Sequence, residues 1–128
     1  MSIKEGYSDF SEMPVWKQAM ELAVHVHDMT QSFPRKEDYG VTSQLRRAAL
    51  SVSANIAEAF GRYHHADKLN FYYNSRGSLA ETLSHLMYCL RIGYIPKEQF
   101  EQLDSLGQTV WKELNRVIAT LRRRRSVL

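Results

Sequence analysis

From Phe100 onward, Leu103, Gly107, Val110, Leu114, Val117 and Leu121 keep a strict 3-4-3-4 spacing across three heptads. A stripe that repeats every ~3.5 residues, on a helix that turns every ~3.6, stays in contact only with neighbours crossing at a shallow angle. The pattern excludes a strand, whose side chains alternate with a period of two, and it calls for partner helices.

Three further segments supply those partners. The first is expected from Pro14, which suits a first helical turn because its missing N–H costs nothing there, to Ser32. Ala19, Leu22, Val26, Met29 and Phe33 recur at steps of three and four, Trp16 and Ala23 widen the stripe, and Phe33-Pro34 ends it. A polar connector (34–41) leads to a second helix, with Thr42 as its expected cap and Gly61 as its stop. Its stripe is Leu45, Ala49, Val52, Ile56 and Phe60, and five alanines (Ala48, Ala49, Ala54, Ala57, Ala59) allow a neighbour to approach closely. Asp67 is the expected cap of a third helix reaching Ile92. There Leu69, Tyr72, Leu79, Leu83, Leu86 and Leu90 share a track whose remaining position is Arg76. Gly93 supplies a left-handed C-terminal residue and Pro96 opens the fourth helix. Short connectors make sequential helices antiparallel. The expected architecture is all-α: an antiparallel up-down-up-down four-helix bundle over 13–121, with an N-terminal arm (1–12) and a basic C-terminal tail (122–128).

With 128 residues the chain is one domain's worth, enough to bury about two-thirds of its unfolded surface without staples. Cys89 is the only cysteine, which excludes a disulfide framework and a cysteine-based zinc site. Among Leu86, Met87, Tyr88 and Leu90 it reads as a small buried hydrophobe rather than a reactive thiol. No apolar run approaches ~18 residues, so no membrane span is expected. The opening MSIKEGYSDFSEM has no apolar core, so no signal peptide is expected, and the cytoplasm is the expected compartment.

The net charge of +3 is unevenly placed. Residues 1–115 carry 12 Lys+Arg against 14 Asp+Glu, a balance of −2. Residues 116–128 add Arg116, Arg122, Arg123, Arg124 and Arg125 with no acid, a balance of +5.

Several stretches resemble a known family. Val15 to Ala23 (VWKQAMELA) is similar to the start of the first helix in bacterial 23S ribosomal RNA intervening-sequence proteins. Phe33-Pro34, Glu37, Tyr39-Gly40, Gln44 to Ala49, Ser51, Asn55 to Glu58, Gly61-Arg62, Arg76 to Glu81 and Gly93 to Ile95 follow in the family's order and spacing. Ser53 stands where the family commonly has proline and Ala59 where glycine is common, and neither change threatens a helix. The loop Tyr63-His64-His65-Ala66 departs from the usual polar turn. The resemblance implies a four-helix bundle assembling as a homopentamer. It also implies kinship with the accessory proteins of diversity-generating retroelements, basic pentamers that bind nucleic acid and partner a reverse transcriptase. No enzymatic activity follows from it.

Two groups of arginines are candidate nucleic-acid contacts: Arg46 and Arg47, and the run Arg122 to Arg125. Guanidiniums hold phosphates bidentately without reading sequence. The competing reading of the run is a solvated end that complements the helix dipole. Arg47, Ser51, Asn55, Glu58 and Arg62 form one polar stripe, either a solvent face or a hydrogen-bonding seam between helices or subunits. Arg76 and Glu81 extend that candidate seam. Arg76, on an apolar track, needs an acid if buried, and Glu58 is the expected partner, with Glu81 the other candidate. His25 and His27 face different sides, and His64-His65 with Asp67 lacks a full ligand set, so neither a metal nor another cofactor is expected. Trp16, Trp111 and the tyrosines read as packing residues rather than base-stacking platforms. With no phosphate loop, nucleophile elbow or Cys/His dyad, the leading expectation is a non-enzymatic oligomer that binds RNA or DNA without strong sequence preference. The alternative is a protein-interaction scaffold or accessory subunit with no direct nucleic-acid role.

Overall fold

Proline and glycine set the helix boundaries as the sequence leads one to expect. In the computed structural model, which describes residues 6–127 and side chains through Arg124, Pro14 opens α1 (Pro14–Thr30). Three longer helices follow: α2 (Val41–Phe60), α3 (His65–Arg91) and α4 (Lys97–Val127), with no strand among the described residues. Gly93, at φ +84°, turns the chain out of α3. The amide of Tyr94 donates to the Cys89 carbonyl (2.9 Å) and that of Gly93 to Leu90 (3.2 Å), the paired bonds that close a helix through a left-handed glycine.

The directions alternate. Arg46, near the start of α2, reaches Thr30 at the end of α1, and Lys68 at the start of α3 reaches Ala59 and Phe60 at the end of α2. Ser75 and Ser78 of α3 bond to Val52 and Ser51 of α2, and Arg76 of α3 bonds to Asn115 of α4. Val15 at the start of α1 lines the same groove as Leu121 late in α4. Each helix packs against two others, α4 closing the ring on α1. Leu22, Leu45, Ile56, Leu79, Leu86 and Leu114 are fully buried at the centre.

Three local expectations are corrected. The α4 stripe holds at Leu103, Val110, Leu114 and Leu121, but between the last two Ile118 (3% exposed) rather than Val117 enters the core. A straight helix drifts past a 3.5-residue repeat by about 20° per heptad, enough to exchange one position for its neighbour there. In α3 the buried line is Tyr72, Ser75, Leu79, Thr82, Leu86 and Cys89, which leaves Arg76, Leu83 and Leu90 on its flank. Small Ser75 faces the alanine-rich α2 closely enough for its hydroxyl to donate to the Val52 carbonyl at 2.7 Å. Leu83 instead meets Gly107, where a β-carbon would stand 2.6 Å from its Cδ2. Neither expected cap serves as one. Gly40 and His64 occupy the N-cap positions, Asp67 lies within the first turn of α3, and Thr42 is buried with its hydroxyl unpartnered among the described residues. The basic tail extends α4, which is helical through Val127. Of the expected N-terminal arm, residues 1–5 lie outside the described residues, and Phe10–Glu12 forms a single 3-10 turn ahead of α1.

Candidate nucleic-acid interface

The topology places the two arginine groups at opposite ends of the bundle. Arg46 and Arg47 lie in the second turn of α2, roughly 20 Å along the axis from its other end, where α4 finishes. Arg46 is occupied locally: its Nε donates to Thr30 Oγ1 at 2.7 Å and its Nη2 to the His27 carbonyl and Gln31 Oε1 at 3.4 Å. It thereby adds to the hydrogen bonds that close the last turn of α1, where Thr30 Oγ1 already donates to the Val26 and His27 carbonyls. Arg47 is exposed.

At the other end, α4 carries about 9 Å of helix beyond Leu121, and Arg122, Arg123 and Arg124 are all exposed on it. The side chain of Arg125 lies outside the described residues. Arg62, Lys68 and Arg116 share this end. Arg116 is held by both oxygens of Glu113 (2.8 and 2.9 Å), and Lys68 donates to the carbonyls of Ala59 and Phe60 (3.2 and 3.1 Å), covering the end of α2. Tyr63 (88% exposed) and His64 stand edge to face in the loop beside them. This end therefore combines cations with an exposed aromatic ring.

The candidate polar seam divides into three parts. Ser51 and Ser78 join α2 to α3 by a hydroxyl–hydroxyl bond of 2.9 Å, and the Asn55 amide donates to both the Ser51 hydroxyl and its carbonyl. Glu58 pairs with Arg62 along the same helix at 2.8 Å, and Arg62 also lies 4.6 Å from the centre of the Phe71 ring. Glu81 pairs with His85 at 3.2 Å. The expected Arg76–Glu58 pair does not form. Arg76 Nη1 donates to Asn115 Oδ1 at 2.7 Å, and its guanidinium lies 5.3 Å from the Tyr73 ring centre. A neutral amide suffices because Arg76 is only half-buried and keeps part of its hydration. Sequence reading missed Asn115 because its position on α4 becomes a neighbour only once α3 is rotated to bury Ser75. In a double-mutant cycle followed by urea unfolding, Arg76→Ala and Asn115→Ala should couple by about 1 kcal/mol. Arg76→Ala and Glu58→Ala should be additive.

No group of three or more potential metal ligands gathers among the described residues. No helix there is long and apolar enough to cross a membrane.

The family model described as "23S rRNA-intervening sequence protein" matches residues 11–116. The chain belongs to this family. Among solved structures, this 23S rRNA-intervening sequence protein is similar to a protein of unknown function from the S23 ribosomal protein family of Bacteroides thetaiotaomicron. That likeness has 25% identity and a TM-score of 0.74, covering 81% of this chain and 97% of the other. No curated protein matches the sequence. The matched region stops before Arg122, so the arginine run lies outside what defines the family here.

Within the matched region, Glu37, Gly40 and Tyr94 form a staple at the end opposite Arg122 to Arg124. Tyr94 donates to Glu37 Oε2 at 2.7 Å, its ring lies 5.2 Å from that of Phe33, and together they tie the α1–α2 connector to the α3–α4 turn. A side chain at position 40 would bring its β-carbon within 2.8 Å of Glu37 Oε1, so glycine there leaves room for the carboxylate. The bond to Glu37, aided by burial, pushes the Tyr94 hydroxyl up to about 12, and burial, with Glu37 behind it, pushes the Cys89 thiol up to about 11. Both groups are neutral acids with raised folded-state values, so their contribution is complete below the unfolded values of 9.0 and 10.0 and fades above them. Stability should thus fall between about pH 9 and 12. Cys89→Ala should flatten the lower part of that limb and Tyr94→Phe the upper part, as read by urea midpoints across pH.

Proposed function

We propose that this 23S rRNA-intervening sequence protein is a non-enzymatic, oligomeric four-helix bundle of the cytoplasm that binds RNA or DNA through the arginine-bearing end of α4, with little sequence preference. The observation that carries this reading is the exposure of Arg122, Arg123 and Arg124 on helical backbone at one end, while residues 1–115 are slightly acidic. Guanidiniums carried on helical backbone contact phosphates at less entropic cost than those of a loose tail. Arg46, engaged with α1, is left out of the proposed surface, and Arg47 could at most contribute a separate contact. Exposed Val24, Leu50, Met87, Tyr88 and Ile92 support self-association, and a pentamer would bring several basic ends into one particle and raise avidity. The same apolar residues favour the second reading, a scaffold for a protein partner.

The test is fluorescence anisotropy with labelled RNA and DNA, comparing the native chain with one in which Arg122 to Arg125 are all glutamine, a change that keeps helix propensity. Binding that the glutamine variant loses, at unchanged particle mass by light scattering, is the expected result. No binding by the native oligomer at low salt overturns the reading.

A further inference from the structure

Beside the arginines, α4 forms one wall of a groove that the sequence alone does not reveal. It is a cavity of about 200 Å³, open to solvent, between the residues ahead of α1, the end of α2, the start of α3 and the last turns of α4. Tyr7, Phe60 and Tyr72 line it together with Met13, Val117 and Leu121. Lys68, Arg116, Glu113 and Thr120 are its polar lining, and Arg123 Nη2 reaches the Thr120 hydroxyl at 3.4 Å, which places a second α4 guanidinium at the mouth. Glu113 neutralises Arg116 at close range, so Lys68 and Arg123 set the sign of the rim.

Two half-exposed aromatic side chains, Tyr7 and Phe60, above buried Tyr72, in a groove whose rim is cationic, match a flat ring attached to an anion. The volume is below the ~300 Å³ at which pockets for drug-sized ligands begin, so it suits a single ring system rather than an extended ligand. A base in a duplex is stacked on both faces and cannot enter, whereas an unstacked base brings its own phosphate to the rim. We propose that this groove receives one unstacked base of a single-stranded nucleic acid whose backbone runs onto the α4 arginines. Tyr7 and Phe60 thus acquire a role that their spacing in the sequence did not suggest. The proposal rests on the nucleic-acid reading above and adds to it a preference for single strands. That preference is diagnostic: charge alone favours the duplex, with a salt slope of about −0.9 per phosphate contact against −0.7 for a single strand.

The test is anisotropy at constant salt with three labelled probes: a single-stranded RNA, the same sequence as a duplex, and an abasic strand of equal length. The native protein should bind the intact single strand about ten- to a hundred-fold more tightly than the abasic strand, the worth of one stacked base. Tyr7→Ala removes an aromatic wall outside the helices, and Thr120→Trp fills the groove from half-exposed α4 backbone. Both should erase that preference while leaving duplex and abasic binding and the particle mass unchanged. Equal binding of all three probes, lost when the arginines become glutamine, overturns the groove and leaves the electrostatic reading standing. No binding of any probe overturns both. A change in particle mass on Thr120→Trp makes the groove a contact between copies and likewise overturns the proposal.

Discussion

Leu79→Ala should lower the free energy of unfolding by about 3 kcal/mol, which for a domain of this size corresponds to a fall of about 10–15 °C in melting temperature. Leu79 is fully buried at the middle of α3, and its Cδ1 lies 3.8 Å from the position a β-carbon would take on Gly107. Truncation removes the methyl groups that fill the space left by that glycine. The α4 backbone, held on both sides of the site by buried Leu103 and Val110, cannot collapse into the gap. The cost is therefore transfer plus cavity, near the middle of the range for leucine truncation. Leu50→Ala, at a position 56% exposed on α2, should change stability by less than about 0.5 kcal/mol. Ile118→Ala should cost more than Val117→Ala, reversing the order that strict heptad spacing predicts. Urea unfolding of the four variants measures all of this. A Leu79→Ala loss below about 1 kcal/mol, or a Val117→Ala loss above that of Ile118→Ala, would contradict the helix rotations described.

The bundle was legible in the sequence because its signals are local. Pro14 and Gly93 act through their own backbone, and the α1 and α2 stripes need only a period. The rotation of α3 was not legible. Leu83 and Leu90 look like core residues by composition, and Ser75 and Thr82 do not. Only the close approach of alanine-rich α2 on one side and the opening at Gly107 on the other make small polar residues the better fit to the centre. Everything that depends on that rotation was misplaced with it, including the partner of Arg76. The same limit applies to the basic surface. Arg46-Arg47 and the C-terminal run look alike as text, but Arg46 completes the end of α1 while Arg122 to Arg124 stand on helix beyond the core. The groove next to them joins residues from Tyr7 to Leu121, a separation over which no periodicity carries information.

For the native protein, the logarithm of the binding constant for duplex DNA should fall linearly with the logarithm of salt concentration. If the four consecutive arginines of one chain each neutralise a phosphate, the slope is about −3.6 on duplex and about −2.8 on a single strand. A fourfold rise in salt then weakens binding by roughly 150-fold and 50-fold respectively. Replacing Arg122 to Arg125 by glutamine should remove most of the slope, because the rest of the chain is slightly acidic, with Arg116 paired to Glu113 and Arg62 to Glu58. Replacing one arginine at a time should lower the slope by about 0.9 on duplex at each position that touches a phosphate, which counts the contacts directly. In an oligomer, a slope that is a multiple of the single-chain value reports how many α4 ends engage one nucleic acid at once. A steep slope that survives the glutamine substitutions would move the interface elsewhere on the bundle, with exposed Arg47 the first residue to examine. A flat slope with binding retained would mean that contacts other than phosphate neutralisation hold the complex, and would remove the arginine end from the mechanism.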